Sequence, residues 1–233
     1  MNSLFLPLLV GHLIADFWLQ PTSWIECRRN NGWKSKRLVI HAFVAAILPV
    51  AITFQPSLWW FAPIIFVVHY LIDLLKSKTK DNLFAFIADQ LVHIGLLWVL
   101  ATFATHIEMT ERLQQFWIYA IGFVVVTTPA GILVGKFLQP ITKNSDTNGK
   151  QHTPVKADAS AWIGIIERLL ILIFILSAQF QAIGFLVAAK SIFRFSEIQK
   201  EGNPKAEYFL LGTLASFLIA VLVGMGIKYT TGI

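Results

Sequence analysis

The sequence has little cysteine and little charge, and each shortage excludes a class of protein. Its single cysteine, Cys27, rules out an intramolecular disulfide and a zinc cluster built on cysteine thiolates. Charged residues make up 14% of the 233 residues, well below the usual quarter. A soluble domain of this size cannot bury the apolar surface that remains, so the composition argues against a soluble protein.

Signature motifs of soluble enzymes are also missing. The chain has no Gly-x-Ser-x-Gly elbow, no phosphate-binding loop, no dinucleotide fingerprint and no His-Glu-x-x-His pair. The net charge of +6 comes from lysines and arginines that flank hydrophobic runs. That placement indicates membrane topology and contact with lipid head groups, and it argues against a nucleic-acid partner.

Hydrophobic residues, by contrast, make up 56% of the chain, and the mean hydropathy is +0.65. Repeated apolar runs of about 20 residues are typical of transmembrane helices. We therefore predict an all-α, polytopic transmembrane bundle of about eight spans, or seven if the sixth and seventh are one. The predicted spans are 3–20, 37–54, 58–76, 83–106, 114–138, 161–178, 181–199 and 205–228.

Loop charge predicts the orientation of these spans. Basic residues such as Arg28, Arg29, Lys34 and Lys76 lie on the side that the chain reaches after its first span, whereas the opposite side has few. The positive-inside rule makes the basic side cytoplasmic. With eight spans both termini face outward, and we interpret the N-terminus as a retained first helix. A polar loop, 139–160, is predicted to be cytoplasmic and to divide an N-terminal bundle (1–138) from C-terminal helices (161–233).

Histidine and aspartate recur inside the first four hydrophobic runs. Three pairs are spaced by four residues, which places both members on one face of a helix. Given the predicted topology, all of these residues lie within about 15 Å of the cytoplasmic boundary. We therefore expect them to converge in one layer of the bundle. They are His12, Asp16, His41, His69, Asp73, Asp89 and His93.

Ionisable groups inside membrane helices are costly and indicate function. Imidazole with carboxylate is a ligand set for zinc, manganese or non-haem iron. A divalent metal, zinc or manganese, is the first interpretation, because it relieves the repulsion between the aspartates. Seven groups exceed the ligands of one ion, so either two ions bind or some groups support the ligands. A metal-free proton or ion relay and purely structural hydrogen bonding remain alternatives.

A second polar set lies near the same predicted side. One interpretation is ion pairs between helices, with Glu167 pairing to Lys190 or Arg194 and Arg168 pairing to Glu197 or Glu207. The other is a basic pocket for a phosphate or carboxylate on a substrate, which Lys76 would join. The residues of this candidate substrate pocket are Lys76, Glu167, Arg168, Lys190, Arg194 and Glu207.

Small residues on the last span predict one further contact. Gly212 and Ser216 are spaced by four residues, with Gly224 beyond them. This spacing is typical of close helix packing or of a homodimer face.

The histidine and aspartate motifs resemble a known family. Gly11-His12-Leu13-Ile14-Ala15-Asp16, His69-Tyr70-Leu71-Ile72-Asp73 and Asp89-Gln90-Leu91-Val92-His93 resemble the bacterial membrane domain-of-unknown-function family 3307. The resemblance covers about residues 4–106 and implies a multi-pass protein of the bacterial inner membrane. The same pattern is loosely similar to YdjM-like membrane-bound metal-dependent hydrolases. That similarity implies hydrolysis as the reaction class for His12, Asp16, His69 and Asp73.

Three functions compete on these grounds. The first is a membrane-embedded metal-dependent hydrolase that acts on a lipid or another amphiphile at the inner leaflet. The second is a transporter or channel for metal ions or protons, in which the same groups are transient ligands. The third is a non-catalytic scaffold or sensor. The outer halves of the first four runs are almost wholly apolar, for example Leu4–Val10, which favours a site over a path.

Overall fold

A computed structural model gives the chain as an all-α protein, as predicted. It describes residues 4–104, 108–145, 157–201 and 205–232, with side chains for 4–104, 108–140, 160–192 and 210–232. Ten α-helices and no strand lie in the described residues. The helices are α1 (Phe5–Phe17), α2 (Thr22–Asn31), α3 (Lys36–Ile52), α4 (Phe61–Lys76), α5 (Leu83–Thr102), α6 (Glu111–Val126), α7 (Thr128–Ser145), α8 (Ala157–Leu176), α9 (Phe180–Glu201) and α10 (Lys205–Thr231).

Fewer helices qualify as membrane spans than the sequence predicts. Within the described residues, Leu83–Thr102 and Leu210–Thr231 are long and apolar enough to cross a membrane. Two bent helix pairs, α2 with α3 and α6 with α7, raise the number to four if each pair is one span. Eight spans are therefore not confirmed. The apolar runs fold into shorter pieces: α1 has 13 residues, or about 20 Å, against a hydrocarbon core of about 30 Å.

The chain divides into two compact units, Met1–Val124 (unit 1) and Val125–Ile233 (unit 2). In unit 1, α1 packs on α3, α3 on α4, α4 on α5, and α5 on α1, which closes a four-helix bundle, while α2 packs on α3. In unit 2, α10 packs on α7 and α8, and α8 also contacts α7 and α9. Each unit therefore has its own helix packing.

Local sequence signals set the helix ends and one close contact in unit 1. Ser35 and Asn82 cap α3 and α5, accepting hydrogen bonds from the backbone N–H of Leu38 and Ala85. Gly11 allows α1 to meet α3, since a Cβ there would lie 2.4 Å from Cα of Pro49. The helix backbones therefore touch one residue away from His12.

The bundle of unit 1 is polar at one end of its interior and apolar at the other. Leu4 and Leu8 on α1 precede His12, and Val50 on α3 follows His41. Phe61 on α4 precedes His69, and Leu100 on α5 follows His93. Large apolar side chains also face outward, among them Phe43, Leu71, Leu91 and Trp98. An apolar exterior around a partly polar interior is compatible with a membrane location.

Candidate metal centre

The structure brings the seven predicted histidines and aspartates of unit 1 into one cluster. α1 contributes His12 and Asp16, α3 His41, α4 His69 and Asp73, and α5 Asp89 and His93. The four histidines are 1–2% exposed, and the aspartate side chains are at most 8% exposed. The cluster is thus a buried polar centre contributed by all four helices of the bundle.

A triangle of three ligand atoms lies within this cluster. Nε2 of His41 lies 3.1 Å from Nε2 of His69, and Oδ1 of Asp16 lies 3.5 Å from each nitrogen. A tetrahedral zinc ion with ligands at about 2.0–2.2 Å holds neighbouring ligand atoms about 3.3–3.6 Å apart. Two sides of the triangle match this spacing and the third, at 3.1 Å, is slightly shorter, so the three atoms approximate one face of such a site.

The other two aspartates have fixed cationic partners. Oδ2 of Asp73 lies 3.6 Å from Nε2 of His41 and also pairs with the buried guanidinium of Arg28. Asp89 pairs with the ammonium of Lys76. Within the described side chains, Asp16 pairs with no lysine or arginine. Three carboxylates and two cations thus leave one negative charge. It belongs to Asp16, which forms one corner of the triangle.

The hydrogen bonds of His93 leave a ligand atom unused. Its Nδ1 lies 2.8 Å from the backbone carbonyl of Asp89, so this nitrogen carries the proton and donates it. Nε2 of His93 then has a lone pair, and no described residue donates to it. Nε2 of His12 and Oδ1 of Asp16 also lack a hydrogen-bond partner in the described part of the chain. Buried polar atoms normally have partners, so these atoms could serve as ligands to a cation.

Three groups of residues in the cluster could hold an ion. Within each group, one ligand atom per residue lies within 4.8 Å of the others. Two of the groups share His69 and two share Asp73, so the three are linked into one centre. They are His12, Asp16 and His69; His41, His69 and Asp73; and Asp73, Asp89 and His93.

Two polar partners extend the cluster. Gln90 donates from Nε2 to Asp16 at 3.4 Å and to Asp89 at 3.2 Å. Arg28 was not predicted, because it stands beside Arg29 in a basic stretch and nothing in the sequence distinguishes the two. Arg28 is 3% exposed and reaches Asp73, whereas Arg29 pairs with Asp81 at a site about 40% exposed.

The residues predicted for a substrate pocket belong to both units. Lys76 belongs to unit 1 and contacts the histidine–aspartate cluster through Asp89. Glu167, Arg168 and Lys190 line a cavity of about 520 Å³ inside unit 2, where Lys190 pairs with Glu167. Arg194 and Glu207, like most of the predicted loop 139–160, lie outside the described side chains.

The small residues of α10 pack within their own unit. A Cβ on Gly212 would meet Leu138 at 3.0 Å, and a Cβ on Gly224 would meet Ile175 at 2.9 Å. Ser216 accepts a hydrogen bond from Arg168 at 3.1 Å. These contacts correspond to the close helix packing that the small-residue spacing predicts, and the homodimer face stays a prediction.

The fold and site define a helical-bundle protein with membrane-type helices and a buried histidine–aspartate centre. The model of a family described as "Protein of unknown function (DUF3307)" matches residues 4–123, and the chain belongs to this family. The match covers unit 1 almost completely and includes all seven residues of the cluster. No curated protein and no solved structure matches the chain. The similarity to YdjM-like hydrolases therefore has no support from known proteins.

Proposed function

We propose that unit 1 contains a divalent-metal site and that the protein is a membrane-embedded, metal-dependent hydrolase. Its substrate would be a lipid or another amphiphile. The observation that carries the metal site is the unpartnered carboxylate oxygen of Asp16 beside the ring nitrogens of His41 and His69. These three residues hold the ion, and His12 and His93 supply further nitrogen ligands. Zinc or manganese suits this mixture of nitrogen and oxygen ligands.

Charge favours one ion over two. The cluster has one negative charge after Arg28 and Lys76 neutralise Asp73 and Asp89. One divalent ion leaves a single positive charge in the buried centre, whereas two ions leave three, which is costly in a low-dielectric interior. Asp73 and Asp89 then act mainly by orienting the imidazoles and the ion.

Two features support a hydrolytic site over a transport path. The interior beyond the cluster is filled by apolar side chains, including Leu8, Val50, Phe61 and Leu100, which offer no ligands to an ion leaving on that side. The cluster approaches the surface at Lys76, whose side chain is 25% exposed. When bound, a divalent ion would lower the pKa of a water ligand and polarise a phosphoryl or acyl oxygen.

The location we propose is a bacterial inner membrane, with the basic loops and the cluster near the cytoplasmic face. A substrate would then approach from the cytoplasm or the inner leaflet. The residue nearest that approach is Lys76, whose partly exposed ammonium would attract an anionic head group.

The test is elemental analysis of detergent-purified protein, with Asp16→Asn compared with Asp81→Asn as the matched control. Asp81 is 39% exposed and pairs with Arg29. We expect about one zinc or manganese per wild-type chain, no change in Asp81→Asn and at least a tenfold loss of bound metal in Asp16→Asn. Wild-type protein without metal, also after incubation with zinc and manganese, would refute the metal site.

A second measurement separates the functions. Metal-loaded protein is assayed against micellar aryl esters, aryl phosphates and phospholipids, and the same protein in vesicles is assayed for divalent-metal uptake. We expect the wild type to hydrolyse at least one of these substrates. The rate of hydrolysis should fall at least 100-fold in Asp16→Asn and stay normal in Asp81→Asn. Metal uptake lost in Asp16→Asn, without hydrolysis, would replace the hydrolase by a transporter. Metal binding with neither activity would favour the scaffold or sensor.

A further inference from the structure

Unit 2 contains a second buried charged group, which lies outside the segment that matches the family. Arg168 on α8 is 4% exposed and lines the cavity of about 520 Å³. No carboxylate among the described side chains forms an ion pair with it, whereas the neighbouring Glu167 pairs with Lys190. The described residues that line the cavity therefore sum to one positive charge.

The guanidinium is held in place by neutral acceptors. It donates to the backbone carbonyls of Val126 and Thr127, where α6 gives way to α7, and to the hydroxyl of Ser216. Arginine has five N–H donors, so these three bonds leave two N–H groups for another acceptor. Two glycines leave room beside it, since a Cβ on Gly164 or Gly131 would meet its terminal nitrogens at 3.2 or 3.4 Å.

The surroundings of the cavity suit a molecule that is partly apolar. Its lining combines the hydroxyls of Thr128 and Ser216 with apolar groups such as Ile132 and Ile163. Nearby on α8, Trp162 and Ile163 are more than half exposed, so apolar surface continues from the cavity to the outside. Its volume is within the usual range for ligand sites of about 300–1,000 Å³.

We propose that this cavity binds a singly charged anionic amphiphile, with its carboxylate or phosphate on Arg168 and its apolar part against the lining. A buried guanidinium with free N–H donors binds such oxyanions in bidentate geometry. The proposal does not depend on the metal centre of unit 1, so either can fail without the other.

Binding is measured on the full-length chain in detergent with cis-parinaric acid as a fluorescent probe. Oleate, phosphatidylglycerol, phosphatidylcholine and inorganic phosphate are the competitors. We expect displacement by oleate or phosphatidylglycerol, and whichever competes better identifies the head group. Displacement by phosphatidylcholine with equal strength would refute recognition of the charge. Displacement by inorganic phosphate at equal concentration would refute the role of the apolar part.

A blocking variant tests the location without removing Arg168. Gly131→Leu places a side chain into the cavity, whereas Gly135→Leu, one turn along α7, meets nothing within 4 Å of its Cβ. Leucine is a better helix former than glycine, so both variants should fold. We expect at least a tenfold loss of affinity in Gly131→Leu and unchanged binding in Gly135→Leu. Equal affinities in the two variants would place the ligand elsewhere.

A charge variant gives a result that a purely structural role of Arg168 would not produce. Glu167→Gln removes the partner of Lys190 and gives the cavity a second net positive charge. We expect the affinity for the anionic probe to rise several-fold, and Asp16→Asn in unit 1 to leave it unchanged. Weaker or equal binding in Glu167→Gln would overturn the proposal.

Discussion

The two units bury polar groups of opposite surplus charge. In unit 1, Asp16 pairs with no lysine or arginine among the described side chains, while Asp73 and Asp89 have Arg28 and Lys76. In unit 2, Glu167 and Lys190 neutralise each other, and the hydrogen-bond acceptors of Arg168 in the described part of the unit are neutral. The groups that remain after internal pairing are the basis of the two proposals: a cation for unit 1 and an anion for unit 2.

The two centres also differ in how they are held. The ligand atoms of unit 1 lie on four helices and depend on how closely those helices approach. Arg168 in unit 2 has direct hydrogen bonds to backbone carbonyls and to Ser216. A substitution that disturbs helix packing should therefore affect the centre of unit 1 more, and a substitution that removes a hydrogen bond should affect the centre of unit 2 more. Four substitutions test these differences between the units.

Gly11→Ala should have the largest effect. The added Cβ would lie 2.4 Å from Cα and 2.8 Å from N of Pro49, and backbone atoms cannot turn aside as a flexible side chain can. α1 must move away from α3, which separates Asp16 from His41. We expect a loss of about 3 kcal/mol in stability and at least a 100-fold loss in zinc affinity, because metal sites tolerate shifts of only about 0.5 Å.

Gly95→Ala on α5 is the matched control, because its Cβ meets nothing within 4 Å. Alanine is a better helix former than glycine by about 1 kcal/mol, so stability should stay the same or rise. Unfolding in detergent is followed by tryptophan fluorescence, and bound metal by elemental analysis. Wild-type metal content in Gly11→Ala would show that the approach of α1 to α3 does not set the ligand geometry.

The Gly11 contact shows what the sequence could and could not predict. Four-residue spacing and alternating helix direction were sufficient to predict that the seven side chains meet in one cluster. The contact between Gly11 and Pro49, like that between Arg28 and Asp73, joins residues distant in sequence, so no local pattern reveals it. The predicted number of spans is not confirmed, because hydropathy measures apolar content, whereas Gly32, with φ 52°, and the bend before α3 divide the helices.

The Asp16→Asn substitution should have a smaller effect, in the opposite direction, on protein treated with a chelator. A buried carboxylate without a cationic partner destabilises the fold, and asparagine keeps the shape without the charge. We expect the chelated variant to be more stable than chelated wild type by about 1 kcal/mol at pH 8, where unperturbed imidazoles are neutral. Added zinc should then stabilise the wild type alone.

In unit 2, the corresponding removal of charge should destabilise the protein. Arg168→Gln removes the arginine donor to the carbonyl of Val126 and one of two donors to the carbonyl of Thr127, which also accepts from the N–H of Gly131. A buried acceptor left unsatisfied costs about 1–3 kcal/mol. In thermal unfolding, the change in stability relative to wild type should therefore have opposite signs in the two variants. A loss of stability in chelated Asp16→Asn would mean that the carboxylate is already compensated within the protein.

The smallest effect is expected for Lys76→Gln, which tests whether Lys76 opposes the metal or only orients Asp89. Its ammonium pairs with Asp89, so it reduces the negative charge available to a divalent ion. Because the side chain is 25% exposed, solvent screens much of this effect, and a surface-type pair is worth about 1 kcal/mol or less. We therefore expect zinc affinity to rise by about three- to fivefold at low salt and the difference to shrink at high salt.

Lys78→Gln is the control. It removes the same charge, and Lys78 is exposed beyond the end of α4. Competition with a fluorescent zinc chelator measures both affinities at two salt concentrations. A fall in affinity in Lys76→Gln alone would mean that the lysine holds Asp89 in a ligating position. That outcome would make Lys76 part of the metal site and would weaken the charge argument for a single ion, because Asp89 would then count among the ligands.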